Sequence, residues 1–189
     1  MMNVIEREAN LRDFMLQKYF DASNNLPSWL ITSCITTLTL AVLLSQYIPV
    51  VPEYIANLQI AGYQLNKFGF SLIAIIFFYL VKSALGFLFY QSIGDGKKWT
   101  IFYFTATKFY FILSFLLIIL CITHYYFPID RNKIFLYYLF FFSFVFIFKV
   151  FFYLFHRNNI LPEKWYYKFL YICTLQIAPL LLLWKLLFF

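Results

Sequence analysis

Charge is what this sequence has least of. Only 12% of its 189 residues are Asp, Glu, Lys or Arg, about half the share a soluble domain carries, so there is too little polar surface to clothe a core in water. Five glycines and six prolines exclude linker-rich and collagen-like chains. Three cysteines, Cys34, Cys121 and Cys173, stand singly in separate apolar runs without CxxC spacing, which excludes a disulfide scaffold and reads them as small packing residues. Only two histidines occur. The acids are scarcest where they would matter most: all eight lie outside the long apolar runs, four before residue 22 and the rest at Glu53, Asp95, Asp130 and Glu163.

What fills the space is apolar, 63% of the chain, with 25% aromatic. Apolar segments cover 29–48, 68–93, 100–127, 134–156 and 166–188, each long enough for a hydrocarbon layer of about 30 Å. Backbone groups in lipid must pair within their own segment, so these runs predict helices. The fold expected is all-α, a polytopic membrane helical bundle of five transmembrane helices in residues 29–189. Residues 1–28 are expected to form a cytoplasmic amphipathic helix, with Leu11, Phe14, Met15 and Tyr19 opposite Arg12, Asp13, Gln17 and Asp21. The acidic start and the length of the first run argue against a cleaved leader, so that run is expected to stay as an anchor.

Between the spans fall Pro49 and Pro52, then Gly94-Asp95-Gly96, then Pro128, then Asn158, Asn159 and Pro162, all turn-formers. Gly94 to Lys98 lacks the Walker spacing and reads as a tight turn. The first loop, Pro49 to Lys67, carries Ile55, Leu58 and Ile60 and is expected to fold back onto the membrane. Lys and Arg in the loops and at the span ends divide eight to four in favour of the side holding the N-terminus, which places that terminus in the cytoplasm and the C-terminus outside the inner membrane. Trp29, Trp99 and Trp165 open spans on the cytoplasmic side and Trp184 closes the last one, as interfacial indoles do. A formal charge of +7 on such a chain belongs to loops facing anionic headgroups, and no nucleic-acid partner is expected.

Three lysines lie deep inside spans, where an ionised group costs about 2.5 to 3.5 kcal/mol. Lys82, Lys108 and Lys149 sit about 18, 12 and 12 Å from the cytoplasmic loops by helical rise. Lys108 and Lys149 are shallow enough to snorkel; Lys82 is not. Gly86, one turn away on the same face, permits close helix approach. On the last span Gln176 lies about 16 Å in, level with Lys82, so a Lys82–Gln176 hydrogen bond is expected, with Pro179 kinking that helix and freeing a carbonyl nearby. The functional expectation is a cytoplasm-facing cationic pocket of Lys82, Lys108 and Lys149, with Gln176 beside it, holding a lipid phosphate or a carboxylate of a partner's membrane helix.

Catalytic signals are poor. His124 and His156 end spans at opposite faces and cannot share a metal or relay protons, so each reads as interfacial. No metal and no cofactor is expected. Thr32, Thr36 and Thr39 line one face of the first helix and suit close packing in lipid. The fourth span, from Phe135 to Phe155, is aromatic on every face and should meet lipid or a partner.

The stretch from Phe169 to Leu187, Phe-Leu-Tyr-Ile-Cys-Thr-Leu-Gln-Ile-Ala-Pro-Leu-Leu-Leu-Leu-Trp-Lys-Leu-Leu, resembles the closing segment of a family of small polytopic inner-membrane proteins from Bacteroidota whose domain has no assigned function. Lys82 and Lys108 inside successive spans also fit that family's layout. The resemblance implies an inner-membrane location and no particular activity. It also implies that Glu more often stands where this chain has Gln176, and the neutral amide here argues against a proton relay. The role expected is a non-catalytic accessory or assembly subunit of an envelope system, engaging membrane lipid, another membrane protein or a second copy of itself. The alternative is a small oligomeric transporter or lipid-carrier handler.

Overall fold

The computed structural model describes residues 25–48, 59–60, 63–64, 66–127, 130–155, 160–162 and 164–188. Five long helices follow one another: α1 Asn25–Ser45, α2 Lys67–Ile93, α3 Gly96–Tyr126, α4 Arg131–Leu154 and α5 Trp165–Phe188. All five contain stretches long and apolar enough to cross a membrane, and their ends fall within a few residues of the boundaries read from hydropathy. The expected amphipathic helix of residues 1–28 lies outside the described residues up to position 24; Asn25 to Ser28 already belong to α1. In the first loop, Gln59–Ile60 and Tyr63–Gln64 pair as a short antiparallel ladder, Gln59 opposite Gln64 and Ile60 opposite Tyr63. Ile55 and Leu58 lie outside the described residues.

Local chemistry sets the helix ends. The Asn66 side chain accepts the Gly69 N–H (2.9 Å) and caps α2. At the far end Gly94 takes φ 82°, a left-handed conformation that glycine adopts without Cβ strain, and the Gly94 and Asp95 N–H groups close on Gln91 and Tyr90 carbonyls. The Gly94-Asp95-Gly96 segment is therefore the tight turn expected. Asp95 pairs with Lys98 (3.1 Å) and Asp130 with Lys133 (3.6 Å), each at the start of a helix.

The helices alternate in direction. At one end Trp29 of α1 meets Tyr103 of α3 (4.8 Å), Trp99 of α3 meets Tyr90 of α2 (5.7 Å), Phe102 meets Tyr153 of α4 (5.2 Å), and Tyr171 of α5 meets Phe89 (5.7 Å). At the other end Tyr47 meets Phe135 (5.3 Å), Phe135 stacks on Trp184 (6.3 Å), and Ile48, Phe70, Ala74 and Leu187 form a small core. A larger core of Tyr90, Phe102, Ala106, Tyr153, Tyr171 and Leu175 closes the first end.

Helix α1 packs most extensively on α3. Its threonines turn back on their own backbone, Thr32 to the Ser28 carbonyl (2.7 Å) and Thr36 to that of Thr32 (2.9 Å). Both are buried, so the hydroxyl stripe is satisfied internally and helps the helices approach, as expected in lipid. Helix α4 is the least buried of the five spans and is held by side chains rather than close backbone approach. Tyr137, Phe140, Phe144, Phe148, Phe151 and Phe155 form its exposed stripe.

Two expectations need correction. Trp29 and Trp99 are half-buried and turn inward, and only Trp165 among the opening indoles is exposed. His124 is buried, with Tyr47 Oη 3.4 Å from its Nδ1 and the Tyr138 ring nearby, because ring packing inside the bundle outweighs the interfacial preference. The last helix answers Pro179 with a π-helical segment, Tyr171–Ile177, directly upstream. The proline has no N–H to donate and its ring crowds the preceding turn, and wider turns relieve both.

Candidate functional site

The π-helical segment decides which side chains of α5 share a face. In an α-helix positions five apart diverge; in the wider π register they align. Gln176 Nε2 accordingly donates to Tyr171 Oη five residues back (2.7 Å), which fixes the amide and turns its oxygen toward α2. Lys82 Nζ donates to that oxygen at 2.8 Å. The contact expected from matched depth is thus present, and Gln176 is 2% exposed.

From α4, Lys149 reaches the same place. It is 7% exposed, its Nζ donates to Tyr110 Oη of α3 (2.7 Å), and the amine lies 4.7 Å from the Tyr110 ring centroid and 5.7 Å from that of Tyr153. Lys82 and Lys149 line the same recess. Tyr79 stands edge-on to Tyr110 (5.7 Å). Two polar links therefore cross between helices, Lys149 to Tyr110 from α4 to α3 and Lys82 through Gln176 to Tyr171 from α2 to α5.

Lys82, Lys149, Tyr79, Tyr110 and Tyr171 border a recess of about 330 Å³, whose lining does not include Gln176, near the lower end of ordinary ligand cavities. Tyr153 lines it as well, together with Trp29, Cys34, Leu38, Ile76, Leu80 and Trp99. Lys108 does not line it. Its amine lies 4.5 Å from the Phe104 ring centroid, one turn back toward the start of α3, so the three-lysine pocket reduces to two. Lys108 lies two residues from Tyr110, about 200° around the helix, on the opposite face.

Gly86 makes the recess possible. A Cβ there would come within 2.7 Å of Trp99 Cζ3, so the absent side chain lets the indole lie flat on α2 as one wall. Cys34 is exposed at the rim and not a packing residue, whereas Cys121 Sγ lies 3.5 Å from the Thr39 carbonyl, across to α1. The sequence reading missed Tyr153. The residue is 3% exposed and borders the recess, and its hydroxyl is, among the described residues, the buried side-chain polar atom without a partner. Nothing distinguishes it in sequence from the other tyrosines of α4.

Chemically the recess offers two amines and several hydroxyls, those of Ser33, Thr37, Ser83 and the tyrosines, and no carboxylate. No span carries an acid, and two cationic groups side by side in a poor dielectric repel. Such a set suits an anion. Among the described residues no cluster of His, Cys, Asp and Glu is arranged to hold a metal. A family model described as Domain of unknown function (DUF4271) matches residues 8–187. No curated protein and no solved structure matches the chain.

Proposed function

Because the chain belongs to this family of domains of unknown function, its role has to be read from its own residues, and we propose that it is a non-catalytic accessory or assembly subunit of an envelope system. It resides in the inner membrane and holds an anionic group, from membrane lipid or a partner's membrane helix, against Lys82 and Lys149. The observation carrying this reading is that both amines share one recess while none of the five spans supplies a carboxylate. Buried charges persist when something pairs with them, and here the pairing group comes from outside the chain.

Native mass spectrometry of protein purified in mild detergent tests this. The wild type is expected to retain a lipid or a stoichiometric second protein, and the variant Lys82→Met/Lys149→Met to lose it. Equal retention by both overturns the reading. The excess of Lys and Arg on one side supports a cytoplasmic N-terminus; cysteine labelling of position 159 from outside intact cells would reverse that topology.

A further inference from the structure

The shape of the recess narrows the ligand. Helices α1 and α2 touch where Ser71 Oγ donates to the Ala41 carbonyl (3.1 Å), and the recess opens between them beyond that point. Its lip is apolar and bare: Cys34 and Leu38 of α1, Ile76 and Leu80 of α2, with Leu80 64% exposed. Leu80 lies midway along α2, thirteen residues from Lys67 and from Ile93, about 20 Å from either end. An opening at that depth faces hydrocarbon, not water. Lys149 and Tyr153, whose hydroxyl is unpartnered, line the same recess, and both residues are more than nine-tenths buried.

We infer that the recess admits a single-chain amphiphile with an anionic head, carboxylate or phosphate, sideways from the bilayer through the crevice between α1 and α2. The head meets Lys149, Lys82 and Tyr153, and the tail lies along the apolar lip. This rests on the reading of the recess as an anion site and adds the ligand's class and route. A partner's helix is about 10–12 Å across with its side chains and does not pass between helices that touch, whereas one acyl chain does.

The protein carries its own reporters, since Trp29 and Trp99 line the recess and Trp165 and Trp184 do not. In a Trp165→Phe/Trp184→Phe background in phosphatidylcholine nanodiscs, dibromostearic acid and the corresponding lysophosphatidate are titrated against tryptophan emission, with dibromostearate methyl ester as the neutral control. Saturable quenching by an acidic probe and not by the ester is expected, and the tighter of the two identifies the head. Lys149→Gln should weaken it about tenfold or more. Cys34→Phe, which fills the lip from an exposed position, should do the same, and Leu38→Phe repeats the test should Cys34→Phe fail to fold. Loss in Lys149→Gln with unchanged quenching in a folded lip variant overturns the lateral route and leaves the anion site standing. Equal quenching by the ester overturns both. Unsaturable quenching by every probe, with a second protein retained at the lysines, overturns the amphiphile in favour of a partner's carboxylate.

Discussion

The half of the bundle near the α2–α3 turn holds a recess of about 330 Å³ floored by Lys82, Lys149 and Tyr153, while the opposite half holds a larger one, about 480 Å³, between α1, α4 and α5. The larger is lined by Leu, Ile, Phe and Trp with Tyr47, Tyr138 and Ser143, and by no charged side chain. Volume alone ranks them in the wrong order. In lipid an apolar gap between helices is filled by acyl chains, which are as good a neighbour as leucine. Amines and a spare hydroxyl are not satisfied that way. What distinguishes a binding recess inside a membrane is the demand its polar groups make, and only the smaller recess makes one.

That contrast is open to mutation. The largest effect is expected from Gly86→Leu, which drives a side chain into the Trp99 indole and removes the wall between α2 and α3. It should cost about 1–3 kcal/mol on thermal unfolding in detergent and abolish ligand retention; an unchanged melting curve with ligand retained would mean that the indole is not a fixed wall. Tyr153→Phe should act more narrowly. The hydroxyl has no partner to lose, so stability should hold, while binding of an acidic amphiphile weakens about two- to tenfold. Stability falling with binding unchanged would give Tyr153 a structural role instead. The smallest effect belongs to the other recess: Ser143→Leu should leave amphiphile binding unchanged and stability within about 0.5 kcal/mol. A large loss of binding there would erase the distinction between the two halves.

The sequence carries some of this plainly and some not at all. The spans follow from hydropathy because lipid leaves the backbone one solution. The Lys82–Gln176 contact follows from depth, which helical rise and alternating direction fix for every residue. Rotation about the helix axis is a different matter. Helix α3 is apolar on all sides, so no pattern says that Tyr110 faces the recess and Lys108 faces away. For the same reason the inward turn of Trp29 and Trp99 and the partnerless Tyr153 are visible only once the helices are packed. The π-helical segment had one signal, Pro179, but a proline announces a disturbance without saying whether it is a kink or a widened turn. That choice set the five-residue register of Tyr171 and Gln176, and with it the aim of the amide.

The central claim is that the amines in the smaller recess take their counter-charge from outside the chain. Gln176→Glu tests it most directly, because it places a carboxylate where Lys82 now finds an amide oxygen at 2.8 Å and changes almost nothing in size. Native mass spectrometry and thermal unfolding of the pair should give a variant that retains no anionic ligand and melts higher than the wild type without added ligand. A Gln176→Glu protein that keeps the same bound mass and the same melting temperature would contradict the account.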